Sequence, residues 1–446
     1  MSSSKPNFLF IFTDQQHANM MSCAGNAHCH TPAMDSLAES GVRFTRAYCG
    51  NPVCIPSRFT LFTGRLPSAI GLTGNNVEAI PPVPESILKG GMGHVFRNAG
   101  YKVLYGGKQH LPKMDIEDLG FDVFETDERE GLADTCADLL SKPSDDPFLM
   151  VASFINPHDI CYMAIRDFAE TDFDHWLLKT GETEVKCLDE ALQLPKGMSE
   201  EEFFSSVCPP LPDNLEIPDK EPEAVSTMLR ARDFKRKARE NYTDKQWRMH
   251  RWAYARLTER VDRQIAKVLD GLRSGPNADN TIVIYSSDHG DMDGSHRMEH
   301  KTAFYQEASN IPFIINYPSM PNKGIVDSDH VISNGLDLFP TLCDYAGIDC
   351  PSHLQGKSLK PIVEGNAPEN WHKAVPVESD LGRMIVTGRY KYCHFFEGKN
   401  AEQLCDLEVD PGEMRNFASD PAYASILAEH RKCFESVFST IGSTKS

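Results

Sequence analysis

A chain of 446 residues, 40% hydrophobic and 24% charged, has an ordinary globular composition and room for one large and one small domain. Its formal net charge of −19 excludes nonspecific nucleic-acid binding, which needs a basic footprint, but leaves room for a local cationic cluster that takes a small anion. The 13 cysteines follow no regular spacing, which suits a reduced compartment better than a disulfide scaffold, and no apolar run approaches the roughly 20 residues that span a bilayer. The start has no basic end, apolar stretch and cleavage site. The expected location is therefore cytoplasmic for the sequence as it stands, or periplasmic if a leader has been removed.

The predicted elements begin with a strand at 8–12 that runs into Asp14 and Gln15, followed by a helix over 33–40. Cys54 opens the next helical stretch, and 85–99 has an amphipathic pattern. A strand at 102–105 leads through Gly106 and Gly107 to Lys108 and His110, and another at 148–155 leads to Asn156, His158 and Asp159. Residues 160–240 are rich in acid and proline, and read as an insertion: either a substrate wall or a surface excursion. A long helix covers 243–273, and a strand at 281–285 leads to Asp288 and His289. From 366 the texture changes to short strands near 374–378, 384–387 and 390–395, with a final helix over 421–440.

Continuous apolar strands belong to a parallel sheet buried on both faces, and such sheets bind ligands beyond their carboxyl ends. The expected fold class is α/β: a large, mostly parallel sheet sandwiched by helices over 1–365, with a smaller antiparallel sheet and helix over 366–446. Four strand ends that each deliver Asp, Lys or His suggest one converging site. A single such end is as readily an ordinary turn.

Two adjacent pairs, Asp14-Gln15 and Asp288-His289, offer oxygen-rich ligation with one imidazole. That suits Ca²⁺, Mg²⁺ or Mn²⁺ better than structural zinc. Taken alone, the two aspartates read first as helix caps, and the Cys54 motif turns the reading to metal ligands. Cys54 stands at a helix start in Cys54-Ile55-Pro56-Ser57-Arg58, where unpaired N–H groups favour an anion. A free cysteine is otherwise a buried structural thiol or an activated thiolate. His296, Arg297 and His300 precede Lys301 in a polar loop that either lines a substrate pocket or is merely solvated, and Arg383 is a candidate for a substrate acid group.

The Cys-x-Pro-x-Arg stretch followed by Thr63-Gly64-Arg65 resembles the signature of the type I sulfatases, within the alkaline phosphatase superfamily. Gly107-Lys108, Asn156-Pro157-His158, Ser287-Asp288-His289-Gly290, Lys301 and the tail around Asp406, Asp410-Pro411-Gly412-Glu413 and Asn416 match the same family in order. The resemblance implies that a maturase oxidises Cys54 to formylglycine, whose hydrate is the nucleophile. It implies one divalent cation held by Asp14, Gln15, residue 54, Asp288 and His289. Arg58 would orient the diol, Lys108 and Lys301 would neutralise sulfate oxygens, His110 would assist breakdown of the covalent sulfate, and His158 would protonate the leaving oxygen. The implied substrate is an organic sulfate ester, foremost a sulfated carbohydrate. The alternatives are a phosphonate monoester or phosphodiester on the same scaffold, or a choline or aryl sulfate. Many relatives carry Asp-Asp and Asp-Asn at the two ligand pairs. The pairs here make the shell less negative, which sets Mn²⁺ or Mg²⁺ beside Ca²⁺ as candidates.

Overall fold

The structure is a computed structural model and describes residues 5–442. Its strands are β1 (Asn7–Asp14), β2 (Val42–Phe44), β3 (Ala47–Tyr48), β4 (Lys102–Gly107), β5 (Asp122–Glu125), β6 (Phe148–Pro157), β7 (Thr281–Ser287), β8 (Phe313–Asn316), β9 (Ile325–Asp327), β10 (Ile332–Ser333), β11 (Val375–Ser379), β12 (Gly382–Val386), β13 (Tyr390–Phe395) and β14 (Glu402–Asp406). An 8-stranded sheet runs in the order β5-β4-β6-β1-β7-β8-β2-β9. Its members are parallel except β8, which is antiparallel to both neighbours. β3 and β10 form a short parallel pair, and β11 to β14 form a 4-stranded antiparallel meander.

The sequence of β1 shows why the large sheet is covered on both sides. Phe8, Phe10 and Phe12 point into one buried cluster, while Leu9 and Ile11 point into another across the sheet. Alternate side chains of a strand face opposite ways, so an unbroken apolar run must be buried twice. The 31-residue helix Asp244–Ser274 lies over the second face, placing Val261, Ile265, Val268 and Leu269 against it. Its start is fixed by a capping box between Thr243 and Gln246. Its Asp262 carboxylate caps the helix Pro32–Ser40 through the N–H groups of Ala33 and Met34, at 3.1 and 2.9 Å.

The stretch expected as one helix over 85–99 is two, Glu85–Lys89 and Met92–Asn98. Gly90 and Gly91 separate them, and Gly91 sits so close to Leu88 and Leu119 that a side chain there would collide. The acidic insertion is helical throughout much of its length, with helices Tyr162–Phe168, Asp172–Thr180, Glu182–Ala191, Glu200–Ser206, Glu223–Arg230 and Asp233–Asn241. Several of them share a buried cluster with Trp247, Tyr254 and Leu257 of the long helix. Its prolines fall mainly in the connection between Ser206 and Glu223, where they end helices instead of breaking them. The cysteines are unpaired. Among the described residues, no helix is long and apolar enough to cross a membrane.

Candidate active site

β4, β6, β1 and β7 are consecutive neighbours in the large sheet and run parallel. Their carboxyl ends therefore lie along one edge. These are the four strands whose sequences end in Lys108, His158, Asp14 and Asp288. Thr13 pairs with Ser287, so the two aspartates emerge side by side.

Cys54 begins the helix Cys54–Thr63, all of whose residues are buried, and that helix packs against Asn334–Ala346. Ser57 anchors its first turn by donating to the Asp288 carbonyl at 2.5 Å, and Asn75 accepts from the Ile55 N–H at 3.0 Å. The thiol is fully buried, with Sγ 3.1 Å from His289 Nε2, 3.2 Å from Lys301 Nζ and 3.7 Å from Asp14 Oδ1. Burial and Asp14 oppose its ionisation, but Lys301, His289 and Lys108 outweigh them and hold its pKa well below the ordinary thiol value.

Arg58, one helical turn along, reaches both carboxylates: Nη2 lies 2.9 Å from Asp14 and Nε 3.0 Å from Asp288. Its Nη1 donates to the Lys108 carbonyl at 2.7 Å and to Ser153 Oγ at 3.0 Å. The guanidinium thus acts on Cys54 at one remove, by fixing the carboxylates beside it. Lys108 Nζ lies 2.8 Å from Asp14 Oδ2. Gly107 makes this possible: it turns the chain with φ 87°, and a Cβ there would overlap the Ser153 carbonyl. Burial raises the pKa of Asp14, but Lys108, His158, Arg58 and Lys301 prevail and keep it ionised. Burial and the nearby Asp14 push Asp288 the other way.

The ligand atoms of Asp14, Cys54, Asp288 and His289 all lie within 4.8 Å of one another. Nδ1 of His289 sits 2.9 Å from the Gly290 carbonyl, an acceptor, so a ring proton belongs on Nδ1; against burial, Asp288 and Cys54 raise the ring's pKa, and with a cation in the cluster Nε2 would offer its lone pair to the ion. Two carboxylates, an imidazole lone pair and a residue-54 donor suit a hard or borderline divalent cation. The cluster is a potential metal site. Gln15 follows Asp14 with φ 70°, and this left-handed turn swings its side chain away from that of Asp14. Its Oε1 accepts from Lys301 Nζ at 2.6 Å and from the Cys161 thiol at 2.9 Å. The Lys301 ammonium in turn lies 3.2 Å from Cys54 Sγ.

His158 is half-buried, and its Nδ1 has no hydrogen-bond partner among the described residues. Burial, Lys108 and Lys301 drive its pKa well below the usual imidazole value, although Asp14 and Cys54 pull upward. His110 is half-buried too, in a left-handed turn, with an unpaired Nδ1. The remaining candidates separate. His300 is buried next to Lys301, packs on Phe234 at 5.5 Å and contacts the Glu299 carboxylate. His296 is fully buried, but its ring lies 4.0 Å from that of Tyr305 and its carbonyl accepts from Arg239. Arg297 turns outward to Glu216 at 2.9 Å. Arg383 pairs with Glu378 at 3.4 Å and stacks on Phe438 at 4.9 Å, in contact with the C-terminal helix Ala424–Gly442.

Three residues that sequence reasoning passed over join the site. Cys161 follows His158 in a short turn and reaches Gln15. Glu128, before the helix Glu130–Leu140, lies in the field of Lys108 and Arg58. Lys235, on the insertion helix Asp233–Asn241, lies in the field of Lys301 and Cys161, with Asp380 of the β11–β12 turn beside it. Burial and the repulsion of Lys301 bring the Lys235 pKa down to about 8.

The chain matches the family model described as Sulfatase over residues 6–348, and the model described as N-sulphoglucosamine sulphohydrolase, C-terminal, over residues 294–439. It is 33% identical to a Delta 4,5-hexuronate-2-O-sulfatase of Bacteroides thetaiotaomicron, over 96% of this chain and 88% of that protein. An N-acetylglucosamine-6-O-sulfatase of the same organism is 28% identical, over 95% of this chain and 84% of its own. Among solved structures, a 2-O GAG sulfatase superposes with a TM-score of 0.83 at 31% identity, covering 98% of this chain and 93% of the other. A phosphonate monoester hydrolase of Agrobacterium radiobacter superposes with a TM-score of 0.74 at 21% identity, over 98% and 96% of the two chains, which shows a shared fold alone. With a mostly parallel sheet carrying a buried Cys54, Asp14, Asp288 and His289 at its carboxyl edge, the chain belongs to the sulfatase family.

Proposed function

We propose that this sulfatase removes the 2-O-sulfate from a uronic acid at the end of a glycosaminoglycan-derived oligosaccharide. The similarity to a hexuronate-2-O-sulfatase and to a 2-O GAG sulfatase supports the substrate class. The observation that carries it is Lys235, a half-buried cation on a helix whose Phe234 packs on His300 beside Lys301; Asp380 is its acidic neighbour, and no salt bridge to it is formed among the described residues. A uronate brings a carboxylate close to its sulfate, and a second cation beside the sulfate-binding lysines complements that pair of charges.

The reaction needs charge held around sulfur more than charge created on it. In the proposed sequence, a maturase with its own external oxidant converts the residue 54 CH₂–SH group to an aldehyde, the C–S bond breaking and the sulfur leaving, and water then adds across the C=O bond. One hydroxyl oxygen bonds to sulfur as the bond between sulfur and the sugar oxygen breaks, and that oxygen takes a proton from His158. The second hydroxyl then releases its proton with help from His110. The C=O bond re-forms and sulfate leaves, restoring the aldehyde. Lys108 and Lys301 hold the sulfate oxygens, and Arg58 keeps both aspartates in place. A divalent cation on Asp14, Gln15, residue 54, Asp288 and His289, with Ca²⁺ the first candidate and Mn²⁺ or Mg²⁺ the others, would supply Lewis acidity that favours the ionised hydroxyl.

Chromatography of sulfated disaccharides tests the assignment. Protein co-expressed with a maturase is expected to desulfate an unsaturated uronate 2-sulfate and to leave glucosamine 6-sulfate intact. The reverse preference would overturn the uronate reading.

A further inference from the structure

The Gln15 amide is gripped from both ends. Its Oε1 receives the Cys161 thiol at 2.9 Å and the Lys301 ammonium at 2.6 Å. Its Nε2 donates to Asp291 Oδ2 at 2.6 Å. Asp291 is itself fixed, since the same oxygen accepts the His300 N–H at 3.1 Å and the other accepts the Asp293 N–H at 2.8 Å and faces His250 Nε2 at 3.3 Å. The backbone beneath is equally restrained: Tyr254 donates its hydroxyl to the Gln15 carbonyl at 2.6 Å, and the Gln15 N–H donates to Asp288 Oδ1 at 3.1 Å.

Amide oxygen and nitrogen look alike in outline, so their assignment must come from the partners. Here the partners leave one answer. An ammonium has three donors and no acceptor, and an ionised carboxylate only accepts. Turning the amide over would set its NH₂ against the Lys301 ammonium and its oxygen against the Asp291 carboxylate. Two buried hydrogen bonds would be lost and two like poles would meet, and each unsatisfied buried group costs about 1–3 kcal/mol.

We propose that Cys161 is a positioning residue. Its thiol, together with Asp291 at the far end, locks the Gln15 carbonyl toward Lys301 and the Asp14–Cys54–Asp288–His289 cluster. With a divalent cation in place of the Lys301 ammonium, a carbonyl so held would keep one lone pair on the thiol and offer the other to the ion. The thiol contributes as a hydrogen-bond donor, and its volume is secondary. Residues that orient a ligand in this way typically change metal affinity by about 10–100-fold when removed.

The test is calorimetric titration of Ca²⁺ and Mn²⁺ into chelator-treated, full-length protein, with melting temperatures recorded in parallel. Cys161→Ala, which removes the donor, is expected to weaken the tighter ion by about tenfold. Cys161→Val removes the donor but keeps the volume, and is expected to weaken it equally. Cys161→Ser restores a donor and is expected to stay within about twofold of the parent, by the same rule. Unchanged affinity in Cys161→Ala and Cys161→Val overturns the proposal, as does a Cys161→Ser protein as weak as Cys161→Ala. A parent protein that binds neither ion overturns it as well, since there is then no ligand to orient. None of these readings depends on which sulfated sugar is the substrate.

Discussion

Arg58 stands between Asp14 and Asp288, 2.9 Å from one carboxylate and 3.0 Å from the other, with all three side chains fully out of solvent. Removing one partner from such a group leaves uncompensated buried charge, which typically costs about 3–5 kcal/mol. Arg58→Met is therefore expected to lower the denaturant-unfolding free energy by that order, and to abolish turnover. Arg58→Lys keeps the charge but loses the fork that spans the two acids, so it should recover part of the stability and little of the rate. Equal stability for the Met variant and the parent protein would mean that the carboxylates do not depend on this guanidinium.

Lys301 presents a different balance. Its ammonium lies 3.2 Å from Cys54 Sγ and 2.6 Å from Gln15 Oε1, and although burial opposes its charge, Cys54, Cys161, Asp14 and Asp288 outweigh burial to keep it charged. Deleting it removes a contact to developing charge and leaves the buried Gln15 carbonyl short of a donor, which costs about 1–3 kcal/mol. Lys301→Met is expected to reduce kcat by about 10²–10³, with a stability loss of about 1–3 kcal/mol, smaller than that of Arg58→Met. Steady-state kinetics together with thermal unfolding separates the two effects. A stability loss comparable to that of Arg58→Met would instead mark Lys301 as a structural counter-ion.

The central strands were legible in the sequence because each is an unbroken apolar run that stops at a polar residue with site chemistry, and sheet order then makes neighbours of 14, 108, 158 and 288. Asp14, Asp288 and His289 come together for the same reason, and Cys54, read from its motif at a helix start, joins them. Lys235 was not. It lies within Asp233-Phe234-Lys235-Arg236-Lys237, which carries the charge pattern of a solvated helix, and only the packing of Phe234 on His300 turns that helix toward the site. His296 misled in the opposite sense. A polar loop suggests pocket lining, yet a left-handed backbone at φ 57° tucks this ring against Tyr305. Arg383 was placed in the correct small sheet, but strand pairing sets it opposite Glu378, which captures it. The Phe234–His300 contact joins segments far apart in the chain, while the other two are local but depend on a left-handed turn and a hairpin register, and periodicity carries no record of any of them.

The cluster of Asp14, Cys54, Asp288 and His289 holds acidic groups whose mutual repulsion a divalent cation relieves. A ligand that binds the folded state alone stabilises it by about 2.7 kcal/mol at a hundredfold excess over Kd. Chelator treatment is thus expected to lower the melting temperature, and added Ca²⁺ or Mn²⁺ to restore it. The same additions should leave an Asp14→Ala, Asp288→Ala double variant unchanged. Differential scanning fluorimetry with each ion in turn ranks them. A response in the double variant equal to that of the parent would place the bound ion elsewhere.

His158 gives a pH signature with a definite sign. In the free protein, burial and the positive fields of Lys108 and Lys301 hold its pKa well below the usual imidazole value. A general acid must be protonated, so kcat/KM, which reports the free enzyme, should fall as pH rises through that lowered pKa. A bound sulfate ester places negative charge between the two lysines and cancels part of the field that depresses the imidazole. The pKa in the complex is then higher, and the alkaline limb of kcat should lie above that of kcat/KM. Lys108→Met removes a positive neighbour and should move the kcat/KM limb upward, toward the kcat limb. Full pH profiles of both parameters for the parent and Lys108→Met test the scheme. Coincident limbs in the parent, or a downward shift in the variant, would show that the proton comes from another group, and His110, with its own unpaired Nδ1, is the residue to replace next.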